Sequence, residues 1–156
     1  MYVVVVVALM LVLPIMSILL EGLQGHAVPA VATFGKWFVF WGVGARLVLA
    51  GLRQIIQPRF TAEAIFGVRD SDAPLIVREL GFANVAIGGA GLASIFLHGW
   101  ILPLAVVGAV FYGLAGINHM INGKRNMLRN VAMTSDVFAS AVLLIISVGM
   151  ARMGAP

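Results

Sequence analysis

The stretch VRELGFANVAIGGAG, Val77 to Gly91, opens with an arginine, a glutamate and an asparagine, and beyond Asn84 contains only glycine, alanine and branched aliphatic residues. Extended in both directions it becomes an apolar segment from Asp72 to Leu97, longer than the roughly 20 residues needed to cross a bilayer as a helix. Its start is marked: SDAP offers Ser71 or Asp72 as an N-cap and places Pro74 in the first turn, where a missing N–H is harmless.

Four more segments of similar character lie around it, about Tyr2 to Leu20, Trp37 to Ile56, Trp100 to Ile121 and Val131 to Met150. The first has neither a basic start nor a small-x-small cleavage site, so it is read as a helix and not a signal peptide, with Pro14 bending it. The expected architecture is all-α, a single integral membrane domain over residues 1–156 with about five spanning helices. A short interfacial helix is expected between the second and third spans, where Thr61 can cap and Phe60 and Ile65 have hydrophobic-staple spacing.

Composition agrees. Of 156 residues 62% are hydrophobic and 10% charged, and mean hydropathy is +1.06, against about 25% charged in soluble domains. There are no cysteines, which excludes disulfides, thiolate metal sites and cysteine nucleophiles. The net charge of +4 does not point to nucleic acid, because the basic residues form no long block; the densest run is GKRNMLR, Gly123 to Arg129. With the N-terminus inside, Arg53, Arg59, Arg69, Arg78, Lys124, Arg125 and Arg129 face the cytoplasm and only Lys36 and Arg152 face out. The expected topology is therefore N-in, C-out, multi-pass.

Adjacent spans run in opposite directions, so the end of one shares a leaflet with the start of the next. Arg53 and Gln57 close the second span, Glu79 and Asn84 open the third, Asn118 and His119 close the fourth, and Asp136 opens the fifth. All fall at one level. Glu79 shares a stripe with Ala83, Ala86, Ala90 and Ala93, and Asn84 another with Gly88 and Gly91. Small residues mark helix contacts in membranes, so both stripes are expected to face neighbours. An unpaired charge facing hydrocarbon costs roughly 2.5–3.5 kcal/mol on insertion scales. Arg46 or Arg53 is therefore expected to pair with Glu79 or Asp136, and His119 with one of the same carboxylates; the sequence leaves the choice open.

These residues make a polar pocket within one leaflet. Glu79, His119 and Asp136 are the candidate proton-handling groups. Arg46 and Arg53 are candidates for holding negative charge, with Asn84, Tyr112 and Asn118 placed to bind and orient a ligand. The expected function is binding the head group of a lipid-like molecule, quinone or isoprenoid. The alternatives are a structural or accessory subunit of a membrane complex, or a homo-oligomer, whose charges only specify packing, and a small transporter, which should show inverted repeats. No metal site is expected. His26 and His98 are loop residues in the leaflet opposite His119, so no bis-histidine haem is expected within one subunit. GGAG lies mid-helix without a preceding strand and reads as packing, not a nucleotide loop. Trp37, Trp41 and Trp100 read as interface anchors.

At ELGFAN, Glu79 to Asn84, and GLAGINH, Gly113 to His119, the chain resembles a family of small bacterial integral membrane proteins classed as a domain of unknown function. The matching positions are Glu79, Gly81, Ala83, Asn84, Gly116 and His119, within a stretch from roughly Ala45 to Asp136. A looser similarity is to DoxX-like four-helix membrane proteins, through an Arg-rich first loop and a Glu ahead of a glycine-rich helix. The resemblance implies a bacterial inner-membrane location and supplies no activity.

Overall fold

The apolar segments are helices. A computed structural model describes residues 2–24, 30–121 and 127–154. Six helical elements result: α1 (Val3–Leu23), α2 (Ala30–Ile56), α3 (residues 58–66), α4 (Ala73–Ala93), α5 (His98–Ile121) and α6 (Met127–Arg152). All but α3 are long and apolar enough to span a membrane. His26, Lys124 and Arg125, used in the sequence argument, lie outside the described residues.

Helix α2 begins at Ala30, a full turn and more before the expected Trp37, and α1 continues to Leu23 past Leu20. The reason is electrostatic. Glu21 and Lys36, just beyond the expected ends of the apolar runs, form an ion pair at 2.6 Å, and Trp37 Nε1 donates to the same carboxylate. Paired charges at a helix end cost far less than single ones, so both helices run on through them. Together with the bond from Trp41 Nε1 to Ser17 Oγ at 3.0 Å, this fastens α1 to α2 at the end of the bundle where α1 finishes. That end is the far end; the end where α1 starts is the near end.

The spanning helices α1 and α2 contain π-helical turns, Ala8–Val12 and Val39–Ala45 respectively, and α3 ends in a third, Thr61–Phe66. The first directly precedes Pro14, which has no N–H and whose ring crowds the carbonyl four residues back, at Met10. The expected bend is thus a widened turn. The second precedes Arg46, and the Gly42 carbonyl within it accepts the Tyr112 hydroxyl at 2.6 Å.

The most extensive contacts pair α5 with α6 and α2 with α4. In the α2/α4 seam glycine meets backbone: a Cβ on Gly88 would lie 2.6 Å from the Val48 nitrogen, one on Gly91 2.7 Å from the Gly44 Cα, and one on Gly51 2.6 Å from the Gly81 oxygen. The core between the pairs is filled by Val39, Val43, Ala105, Tyr112 and Leu143.

The segment around α3 departs from expectation. Thr61 is not its cap: the helix starts at Pro58 after Gln57, and Thr61 and Ala62 are buried. Gly67, at φ 72°, ends the element in the left-handed conformation that glycine adopts without strain. Helix α3 is therefore tucked under the bundle. At the start of α4, Asp72 occupies the N-cap without a side-chain cap bond, and Asp70 Oδ1 instead accepts the Asp72 N–H at 2.8 Å.

Candidate functional site

The centre of the near half is Arg46. Its Nη2 donates to Asp136 Oδ1 at 2.6 Å and to Ser135 Oγ at 2.8 Å, and Nη1 to the Met10 thioether at 3.3 Å. The guanidinium lies over the Tyr112 ring at 4.5 Å. One cation thus links α1, α2, α5 and α6. Arg46 and Asp136 are both buried, so their charges depend on each other and on these neighbours for the solvation that water would give.

His119 extends the cluster. Its Nε2 lies 3.8 Å from Asp136 Oδ2, beyond hydrogen-bond length but within electrostatic reach. Phe66 of α3 stacks on the imidazole at 6.0 Å between centroids, and Nδ1 is buried without a hydrogen-bond partner among the described residues. Ala105, Gly108, Tyr112 and His119 share one face of α5 by helical spacing, and the first three are buried. Position 108 must be small, since its Cβ would press on Val43 at 2.7 Å.

Asn84 forms a separate polar contact, donating through Nδ2 to Gln54 Oε1 at 2.7 Å across the α2/α4 seam. Both residues are buried. Gln57, expected among the polar groups at this level, is exposed, and Gln54 is buried there in its place; the spacing of Leu47, Gly51 and Gln54 at i, i+4 and i+7 is the signal that identifies the buried face.

Three candidates lie outside the cluster. Glu79 is exposed, as are Ala83 and Ala86 on its stripe, and it forms no ion pair among the described residues. Asn84 is five positions on, about 140° round the helix, and the glycine face it shares wins the contact because backbones approach closest there. Arg53 is exposed and covers the Phe60 ring at 3.9 Å, so it meets neither carboxylate. Asn118 is exposed. The pairing left open by the sequence is therefore Arg46 with Asp136, and His119 beside the same carboxylate.

Behind Met10 and Ser135 the bundle is open. The near halves of α1 and α6 diverge around a groove of about 750 Å³ lined by residues from Val3 to Leu11 and from Met127 to Phe138. Met10 and Ser135 are groove wall on one side and Arg46 partners on the other. A scan of protein families matches residues 1–154 to one model. The chain belongs to DUF6790, a family of unknown function. The DUF6790 match takes in all six helices, so α1 and α6, outside the stretch that first showed the resemblance, are part of the family's fold. Searches of curated proteins and of solved structures returned no match.

Among the described residues no three His, Asp or Glu side chains gather to hold a metal. His98 and His119 stand at opposite ends of α5, roughly 30 Å apart at 1.5 Å per residue. The chemistry available is ionic and hydrogen-bonding. Tyr112→Phe should keep the ring under Arg46 while losing the bond to Gly42, lowering stability by about 1 kcal/mol in thermal unfolding; an unchanged melting temperature would show that the π-turn carbonyl needs no donor.

Proposed function

We propose that the protein binds a membrane amphiphile, its hydrocarbon tail in the groove between α1 and α6 and its head group against the wall formed by Met10 and Ser135. One observation carries the reading: both residues contact the Arg46 guanidinium, so whatever fills the groove touches the shell of the buried ion pair. The volume lies within the roughly 300–1,000 Å³ of known ligand sites, and the lining is mainly aliphatic. In this reading Arg46 and Tyr112 hold the Asp136 carboxylate behind that wall, with His119 beside it.

Val7 is a groove residue and is exposed, so Val7→Trp should fill the space without disturbing the core. Native mass spectrometry of wild-type protein extracted from membranes should show a bound small amphiphile, and the variant should lose it with helical circular dichroism unchanged. Equal occupancy in both would overturn the reading.

A structural role is the second reading, favoured by the glycine seam and by an ion pair that joins α2 to α6. Under it the groove is lipid-filled space of no selectivity, and Val7→Trp changes no specific occupant.

A further inference from the structure

The groove has two unlike walls. Helix α1 contributes only apolar side chains such as Val6, Val7 and Leu11, whereas α6 adds Asn130, Thr134 and Ser135 to three apolar residues. Positions 130 and 134 are one turn apart on one face, and 135 is adjacent, so the three make a polar strip about 7–8 Å long at 1.5 Å per residue. Every lining residue is non-ionisable. Asn130 and Thr134 are exposed and have no hydrogen-bond partner among the described residues, so an amide and a hydroxyl are available to a ligand.

From this we infer that the groove selects amphiphiles with an uncharged oxygen head group, such as a quinone carbonyl, an alcohol or an ester, over phosphate-bearing lipids. The inference rests on the binding reading above and adds the head-group class. Two arguments support it. Ser135 adjoins Asp136, so a phosphate at the deep end of the strip would sit beside a buried carboxylate and be repelled by it. Arg46, the cation behind Ser135, is already matched by that carboxylate at 2.6 Å. In addition, Ser135 lies eight residues into α6, about 12 Å from its start, where an ionic head would have to leave water; a carbonyl or hydroxyl loses far less and regains a hydrogen bond from Thr134 or Asn130.

The test uses full-length protein in phosphatidylcholine nanodiscs with three probes: a benzoquinone bearing a decyl tail, dioleoylglycerol and spin-labelled phosphatidic acid. Wild-type protein should bind at least one neutral probe saturably and hold phosphatidic acid no more tightly than bulk lipid. Thr134→Val should weaken the neutral probe about tenfold, the scale of one lost hydrogen bond, with the melting temperature unchanged. Thr134→Lys, at an exposed position, should turn the preference toward phosphatidic acid. Selective binding of phosphatidic acid by wild type would overturn the head-group inference and leave amphiphile binding standing. If no probe binds saturably and Val7→Trp behaves as wild type, both fail.

Discussion

Asp136→Ala should destabilise the bundle by about 3–5 kcal/mol, the cost of stripping one partner from a buried ion pair. The Arg46 guanidinium would keep Ser135, the Met10 sulfur and the Tyr112 face, but none of these carries a balancing charge. Hydrogen bonds alone within membrane proteins average only about 0.6 kcal/mol, so the uncompensated cation dominates the loss. The double variant Arg46→Met with Asp136→Leu removes both charges and replaces them with side chains of similar bulk. It should recover most of the stability, because a buried pair exchanged for well-packed apolar groups is often neutral or better. Thermal unfolding of the two single variants and the double in detergent gives the coupling; losses that simply add would mean that the charges do not compensate each other.

The second large effect concerns two neighbouring glycines. At Gly88 a Cβ would stand 2.6 Å from the Val48 nitrogen and 2.8 Å from the Gly44 oxygen, while at Gly89 nothing lies within 4 Å. Backbone atoms cannot rotate away as side chains can, so Gly88→Ala must push α2 and α4 apart along the whole seam, which includes Gly44, Gly51, Gly81 and Gly91. The expected loss is about 1–3 kcal/mol, the usual scale of overpacking, with the Asn84 to Gln54 bond disturbed as well. Gly89→Ala should be neutral or stabilising by up to about 1 kcal/mol through helix propensity. Equal melting temperatures for the adjacent variants would show that the seam is looser than its geometry.

The number of spans and the common level of the polar groups were legible because both depend on helix length and alternation alone. Asp136 and His119 meet at that level as expected, and Arg46, which was not among the residues placed there, joins them through Asp136. Azimuth was harder. Two small-residue stripes on α4 competed, and the glycine one forms the seam with α2 while the alanine one is exposed at Ala83 and Ala86, since alanine still holds backbones apart by a methyl group. Arg53 and Glu79 lie near helix ends, where long side chains can turn aside, so their height did not decide their contacts. The roles of Met10 and Ser135 had no sequence signal: a thioether in a valine-rich helix and a serine beside an aspartate read as filler. Helix α1 was legible as a span, but the groove it leaves with α6 depends on how its two ends are fastened.

The π-turn at Val39–Ala45 bears on what one long helix can accomplish. Before it, Gly35 faces Met150 and Ile146 of α6; after it, Gly51 faces Gly81 and Val85 of α4. A uniform α-helix presents one continuous stripe and would have to favour one neighbour over the other. The widened turn is an angular offset written into the chain, letting the two halves of α2 answer to different partners while Arg46, at the join, still reaches Asp136 of α6. The bundle's asymmetry thus has its source in the winding of a single helix.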